Sequence, residues 1–302
     1  MKTNRFFAIA MVAATVLACQ KENAANENVN ELVFTASIQQ PAPETKATLE
    51  DGLKVAFQVN DKIRVGYPIV GTDGKVTIGG KKDCKCNAGG ITGATFTFNK
   101  DLPTDESCYY AIYPYQPASP EGYSFTQICN LDPGTSPYEF KANGNIHPVQ
   151  VAVLNGADPA VLGMIGKAGA DKFFRFSQMT SLLKFELKKD GVSKVVLSAG
   201  TIEIAGQYNV QGQDTDADGW FDTFTQGTNN ADKSATITLL PPVDNTTFPQ
   251  GTYYIATRPG RNCSAGLKLS FYDGETELKS FSNTAKVQLN RGKVRNLGSF
   301  TW

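Results

Sequence analysis

The chain has 302 residues, and its 29 basic residues balance 29 acidic ones, so that the formal net charge at pH 7 is zero. A neutral chain lacks the excess of positive charge that attracts nucleic acid or an anionic surface. The charge balance therefore argues against nucleic-acid binding and against electrostatic binding to an anionic surface. Its 28 glycines and 15 prolines, with abundant Thr, Val, Phe and Tyr, are typical of many short strands joined by turns.

The amino-terminal segment resembles the signal peptide of a bacterial lipoprotein. Lys2 and Arg5 precede a mostly apolar stretch over residues 6–18 that is shorter than the roughly 20 residues of a membrane span. Residues 16–19 then read V-L-A-C, which resembles a lipobox. We therefore expect cleavage before Cys19 and acylation of its thiol, which would hold the protein on a lipid surface. The alternative is an ordinary signal peptide with an unrelated cysteine.

The mature chain begins with a short tether. Gln20, Lys21 and Glu22 resemble the charged signal that sends Bacteroidetes lipoproteins to the outer leaflet, and the polar residues up to 30 lack periodicity. These features predict that residues 1–18 are a signal peptide and that residues 19–30 are a flexible tether. They also predict that the protein is lipid-anchored at the outer membrane and exposed at the cell surface. The remaining length is typical of about two domains.

Strand patterns dominate the rest of the chain, and no window of about 12 residues reads as an amphipathic helix. The first strand is predicted at residues 32–38, and a proline-rich loop follows at 39–46. Further strands are predicted at residues 55–57, 63–65, 94–98, 108–113, 173–176, 182–187, 195–197, 202–204, 237–240, 253–256, 267–271, 287–289 and 294–300. The pattern weakens into Gly and Ala over residues 156–170. The expected fold is all-β, with two tandem antiparallel β-sandwiches at residues 31–168 and 169–302.

Five cysteines follow Cys19, and five is an odd number. An exported chain meets an oxidising environment, in which disulfides can form. Two alternatives therefore stay open: a disulfide among Cys84 or Cys86, Cys108 and Cys129, or no disulfide. The C-K-C sequence at residues 84–86 lacks the C-x₂-C spacing of a zinc site.

Five segments resemble, in order, parts of fimbrillin-like lipoproteins, the pilus subunits and adhesins of Bacteroidales. They are VAFQVNDKIRVGY (55–67), CYYAIYPYQ (108–116), FSQMTSLLKFEL (176–187), GTYYIATRPG (251–260) and VQLNRGKVRNLGSF (287–300). The resemblance implies two transthyretin-like, Greek-key sandwiches. It also implies that a surface protease cuts the loop after the first strand, and that a strand of the next subunit fills the vacated groove.

On this chain, the strand to be lost would be residues 32–38. Family pilins are commonly cut after arginine, but no arginine lies between Arg5 and Arg64. Lys46, which precedes Ala47, is the only basic residue of the proline-rich loop and is the candidate processing site. Any donor strand would come from residues 287–302. The alternative is that residues 32–38 stay in their sheet.

An acidic loop at residues 214–222 has the spacing of a calcium loop. Carboxylates at the first, third, fifth and ninth positions, with a glycine at the sixth, suit Ca²⁺ because they can fold onto one ion. The candidate ligands are Asp214, Asp216, Asp218, Trp220 (at the position where a backbone carbonyl binds) and Asp222. The twelfth position is Thr225 instead of Glu, so a plain acidic hairpin tip is the alternative.

Catalytic motifs are missing from the sequence. His147 is the single histidine, and the chain contains neither G-x-S-x-G nor H-E-x-x-H. Tyr109, Tyr110, Tyr113 and Tyr115 could form a sugar-stacking platform, but core packing is the preferred interpretation. We therefore expect no enzyme and no required cofactor apart from the candidate Ca²⁺.

Two functions follow from the sequence. The first is a fimbrial subunit or adhesin whose partners are like pilus subunits or host or bacterial surface ligands. The second is a solitary lipoprotein that binds a glycan or peptide and carries a calcium-stabilised loop.

Overall fold

The fold is that of a computed structural model, which describes residues 31–39, 42–43, 55–70, 72, 76–90, 93–99, 102–103, 108–115, 124–128, 139–158, 161–213, 221, 223–227 and 233–302. These residues form 22 strands and contain no α-helix, so the all-β prediction is confirmed. Accordingly, none of the described segments is an apolar helix of membrane-spanning length.

The first eleven strands precede residue 179. They are β1 (Glu31–Ile38), β2 (Ala42–Pro43), β3 (Lys62–Val70), β4 (Val76–Ala88), β5 (Ala94–Asn99), β6 (Tyr109–Tyr113), β7 (Ser124–Ile128), β8 (Glu139–Ile146), β9 (Val149–Val151), β10 (Met164–Ala168) and β11 (Phe173–Gln178).

The other eleven strands follow residue 180. They are β12 (Ser181–Leu187), β13 (Lys194–Ser198), β14 (Gly206–Gln213), β15 (Thr223–Gly227), β16 (Thr236–Leu240), β17 (Gly251–Thr257), β18 (Arg261–Cys263), β19 (Leu267–Asp273), β20 (Thr276–Asn283), β21 (Val287–Leu289) and β22 (Lys293–Phe300).

Seven strands close into a barrel in the order β1-β11-β10-β6-β3-β4-β5, instead of the open sandwich that we expected in the amino-terminal half. The sheet closes because β1 pairs with β5 on one side and with β11 on the other. A closed sheet leaves no strand edge unpaired and needs no second sheet to cover its inner face.

The barrel extends through residues on both sides of position 168. β10, which lies in the Gly- and Ala-containing segment, pairs with β6 and β11 in the barrel wall, and β11 follows it directly. Met164, Ile165 and Ala168 are fully buried. The chain leaves the barrel between the end of β11 at Gln178 and the start of β12 at Ser181.

Two sheets face each other in the carboxyl-terminal part of the chain. The four-stranded sheet has the order β17-β12-β22-β2, and the five-stranded sheet has the order β20-β19-β13-β16-β9. Phe185 of β12 lies 6.2 Å from Phe271 of β19, and Phe300 of β22 lies 5.3 Å from Phe271, measured between ring centroids. This aromatic layer packs between the two sheets, and β18 and β21 form a separate two-stranded sheet.

A further sheet combines strands from distant parts of the chain. Its order is β15-β14-β8-β7, with β14 and β8 paired over eight residues. Gly144 of β8 stands directly opposite Tyr208 of β14, and a Cβ at residue 144 would lie 2.5 Å from the tyrosine ring. Only glycine leaves room for that ring, which is fully buried.

Candidate functional site

The β1 strand occupies a central place in the barrel wall. Its six register pairs with β5 are antiparallel, and its four register pairs with β11 are parallel. The Thr35 N–H donates to the Lys172 carbonyl at 3.1 Å, and the Gln39 N–H donates to the Phe176 carbonyl at 2.8 Å. Both edges of β1 are therefore hydrogen-bonded, and β1 is the one strand that joins β5 to β11.

Side chains alternate along β1 between the barrel interior and the outside. Leu32, Phe34, Ala36 and Ile38 are all at most 8% exposed, whereas Val33 is 46% exposed. The alternation follows from the two-residue period of a strand that buries one face. The predicted first strand is thus confirmed, and its inward row forms part of the barrel core.

An aromatic box holds the ring of Phe34. Phe174 stacks on it at 4.8 Å between ring centroids, and Tyr109 and Phe98 meet it edge to face at 4.9 and 5.4 Å. Each such aromatic pair adds roughly 0.5–1.5 kcal/mol to what burial alone contributes. We call the space that β1 fills between β5 and β11, with this box at its centre, the β1 slot.

The lysine side chain of Lys172 contacts Tyr109, one of the rings of the aromatic box. The Lys172 ammonium lies 4.2 Å from the centroid of the Tyr109 ring and donates to the Tyr109 hydroxyl at 2.9 Å. Tyr109, Tyr110, Tyr113 and Tyr115 are all at most 7% exposed, which confirms that they pack in the core. A further aromatic pair at the centre of the barrel joins Phe57 to Phe176, with 5.2 Å between ring centroids.

The chain connects the β1 slot to the carboxyl-terminal sandwich. β2 adds to the edge of β22 in parallel, with Ala42 opposite Lys293 and Pro43 opposite Val294. The first two strands of the chain therefore belong to two different sheets.

A buried glutamine side chain links the two sheets of the carboxyl-terminal sandwich along one side. The buried side-chain amide of Gln150, on β9, accepts from the Ala256 N–H at 3.0 Å and donates to the Ala256 carbonyl at 2.8 Å. Because β9 and β17 are edge strands of the two facing sheets, this side chain links their edges in place of a backbone pair.

The opposite side of the sandwich contains a cavity of about 230 Å³ between β20 and β22. Its lining is mainly apolar and includes Leu197, Leu269, Phe281, Leu297 and Phe300. β2 pairs with only the first two residues of β22, so the cavity lies beside the part of β22 that follows β2.

The carboxyl-terminal residues 287–302, which were the predicted source of a donor strand, lie within the sheets of their own chain. β21 pairs with β18, and β22 pairs with β12 and β2. The Trp302 ring packs 4.9 Å from the Phe271 ring.

Three buried acidic groups of the barrel, the thiols of Cys84 and Cys86 and the hydroxyl of Tyr113, are held in their neutral forms. Burial raises the pKa of the Cys84 thiol to about 11, and it also raises the pKa of Cys86. Burial and the hydrogen bond to Asp61 at 2.8 Å raise the pKa of Tyr113. Protonated thiols are weak nucleophiles and oxidise slowly. Cys84, Cys86 and Cys263 are free thiols.

The predicted lipidation, processing and calcium-binding residues lie outside the part of the chain that the structure describes. Cys19, Lys46 and Ala47 lie outside the described residues, and so do Asp214, Asp216, Asp218, Trp220 and Asp222. The strands that flank the acidic loop are described: β14 pairs with β15 in antiparallel register, and Gln213 stands opposite Thr223. Residues 214–222 therefore connect the two strands of a hairpin. Calcium binding there stays a prediction.

Nδ1 of His147 lies 2.7 Å from the Val149 carbonyl oxygen, in the turn that leads into β9. Within the part of the chain that the structure describes, no group of three or more His, Cys, Asp or Glu residues could hold a metal ion.

Sequence reasoning missed the parts of the site that come from distant segments. Neither Phe174, which stacks on Phe34, nor Gln150 carries a local signal of its role. The period-2 patterns at residues 94–98 and 173–176 could have been paired with residues 32–38 as neighbouring strands, but a pattern does not identify its partner.

No protein-family model matches the chain, and no curated protein matches it. Several solved structures resemble its fold. A "putative cell adhesion protein" from Bacteroides uniformis is 14% identical with a TM-score of 0.42, and the alignment covers 84% of each chain. A protein of the same description from Bacteroides ovatus is 13% identical with a TM-score of 0.43, over 90% of this chain and 93% of that chain.

A third structure is a fimbrial protein from Bacteroides ovatus. It is 14% identical with a TM-score of 0.41, over 91% of this chain and 52% of that chain. These structural neighbours are described as cell adhesion and fimbrial proteins.

Proposed function

We propose that the protein is a surface-anchored fimbrial subunit or adhesin that assembles by strand exchange after its first strand has been removed. The observation that carries this proposal is the position of β1, which is the first described strand and also the strand that closes the barrel. The fimbrillin-like sequence segments supply the family context. The role is structural and not catalytic.

Removal of β1 would convert the closed barrel into an open six-stranded sheet, β11-β10-β6-β3-β4-β5. The backbone groups of β5 and β11 that now pair with β1 would face solvent, and the aromatic box would be uncovered. Unpaired edges beside an apolar groove are a template for a strand of another chain. Burial of the inward row supplies the driving force for that addition.

Cleavage after Lys46 would separate both β1 and β2 from the rest of the chain, because both precede that residue. Each would then be held only by non-covalent contacts, β1 in the barrel and β2 on the edge of β22. The lipid anchor at Cys19 also precedes β1, so the loss of β1 and β2 after this cut would free the body of the protein from the outer membrane.

The proposal is tested with soluble protein from Gln20 to Trp302, treated under native conditions with a lysine-specific protease. We expect a cut after Lys46, a new amino terminus at Ala47 and a ladder of oligomers that resist detergent without boiling. The ladder should form because an inserted strand is held along its whole length by backbone hydrogen bonds and buried side chains.

The matched control is Lys46→Gln, which should resist the cut and stay monomeric while other accessible lysines remain. A loop that resists the protease in the parent protein, or a clean cut that leaves a monomer, would overturn assembly by strand exchange.

The anchor is tested separately in the full chain. Cys19→Ser should leave an unacylated precursor that keeps residues 1–18, because the cysteine thiol is the group that accepts the lipid. Normal processing of this variant would contradict the lipid anchor.

The second candidate function, a calcium-stabilised lipoprotein that binds a glycan or peptide, is favoured by the hairpin that presents the acidic loop between β14 and β15. If the loop binds Ca²⁺, the ion should raise the melting temperature because it binds the folded chain in preference to the unfolded one. Asp216→Ala should abolish this rise. An unchanged melting temperature of the parent protein with Ca²⁺ would dispose of the site.

A further inference from the structure

The β1 slot makes different demands on the successive side chains that fill it. Leu32 stands opposite Phe98 at the first inward position, and Phe34 fills the aromatic box. Ile38 stands opposite Phe176 at the last position. The first and last inward positions thus hold large aliphatic side chains, each opposite an aromatic residue. The second inward position holds an aromatic ring that packs against other aromatic rings.

The third inward position holds a small side chain in a closed environment. Ala36 is fully buried and stands between Ala94 of β5 and Phe174 of β11 in the two registers. The Phe174 ring also stacks on the neighbouring inward side chain, Phe34, at 4.8 Å. We therefore expect a larger side chain at position 36 to overpack the core, which is destabilising.

The first outward position makes no comparable demand. Val33 is 46% exposed and points away from the barrel core, whereas Ser37, at the end of the same row, is only 9% exposed. Selection therefore falls mainly on the inward row, and the outward row can vary at position 33.

We propose that the partner of the vacated slot is an extended segment of another protein chain whose inward side chains are, in order, a large aliphatic residue, an aromatic ring, a methyl-sized residue and a second large aliphatic residue. This inference rests on the proposed strand exchange. The ring at the second position is the anchor, because it fills the best-enclosed part of the groove. The methyl-sized residue at the third position fixes the register, because a shift by two residues would bring a large side chain into the fully buried position that Ala36 occupies.

Peptide exchange tests the inference in the cut protein. The chain from Gln20 to Trp302 is cut after Lys46 and mixed with fluorescent peptides of residues 31–39, and incorporation is measured by anisotropy after removal of free peptide. The parent peptide should enter. The peptide with Phe34→Ala should bind at least about a hundredfold more weakly, because truncation of a buried ring is this costly. The peptide with Ala36→Leu should bind about ten- to a hundredfold more weakly, which is the usual cost of overpacking a core. The matched control Val33→Ala should bind within about twofold of the parent.

The same three substitutions in the intact chain give a second measurement that does not depend on cleavage. Chemical unfolding should show a much lower midpoint for Phe34→Ala and Ala36→Leu than for Val33→Ala. Equal midpoints, or peptides that enter equally well whatever residue stands at positions 34 and 36, would overturn the proposed selectivity while strand exchange stands. Failure of every peptide to enter the cut protein would overturn strand exchange and the partner together.

Discussion

At the scale of single residues, the barrel holds two buried thiols, those of Cys84 and Cys86. Cys84 is 7% exposed, and its Sγ lies 2.8 Å from the Thr97 carbonyl oxygen. Burial raises the pKa of this thiol from its ordinary value of 9.0 to about 11. The folded chain therefore keeps a proton that the unfolded chain releases between these two pH values.

The pH dependence of stability follows from that difference. Stabilisation by the protonated thiol is fully present below pH 9 and is lost as the pH rises through about 11. Between these values, the free energy of unfolding of the parent should fall by on the order of 1–2 kcal/mol more than that of Cys84→Ala, after allowance for solvent screening. Urea unfolding of both proteins at pH 8, 9, 10 and 11 measures this, and parallel curves would contradict it.

At the scale of elements, the pairing of β8 with β14 depends on close approach of a ring to a backbone. Tyr208 covers Gly144, and its hydroxyl donates to the Met179 carbonyl at 3.1 Å, in the segment that joins β11 to β12. One side chain thus couples a sheet to the connection between the barrel and the sandwich.

Gly144→Ala should lower the free energy of unfolding by about 1–3 kcal/mol, because the new Cβ would lie 2.5 Å from the Tyr208 ring and force it to move. Gly93→Ala is the control, since a Cβ there would meet nothing within 4 Å. Chemical denaturation compares both variants with the parent. Equal losses for the two would mean that the close approach has no role.

At the scale of the whole molecule, the segment from Gln178 to Ser181 is the place where the chain passes from the barrel to the sandwich. Its four consecutive carbonyl oxygens each accept a hydrogen bond from a different residue of the carboxyl-terminal half. The donors, in order, are Arg291 Nη1 at 2.7 Å, Tyr208 Oη at 3.1 Å, Gly292 N at 2.8 Å and Thr257 Oγ1 at 3.3 Å.

Arg291→Met should weaken this junction, because the Gln178 carbonyl would lose a charged donor. We expect a loss of about 1.5–3 kcal/mol in the free energy of unfolding, and faster hydrogen exchange at the amide of Gly292. Lys286→Met, at an exposed position, should change the free energy by less than about 0.5 kcal/mol. If the two variants unfold alike, the arginine bond has no such role.

Strands with a regular two-residue alternation were predictable. Residues 32–38, 94–98 and 182–187 bury one face and are strands in the structure. Residues 202–204 look like a strand but form a turn, and only a single bridge at Phe57 falls within the strand predicted at residues 55–57. β4 and β8 escaped prediction because their Gly, Lys and Asn residues interrupt the pattern.

The sequence by itself determined the all-β class, the first strand with its alternating faces and the resemblance to fimbrillin-like lipoproteins, because these depend on local periodicity and local motifs. Only the tertiary structure decided that β1 closes a barrel and that Phe174 completes its aromatic box. Strand order and the pairing of β8 with β14 are also decided there. The physical reason is that strand pairing joins residues far apart in the sequence, such as Gly144 with Tyr208 and Ala36 with Phe174. A local pattern indicates which face of a strand is buried but does not identify the strand that packs against it.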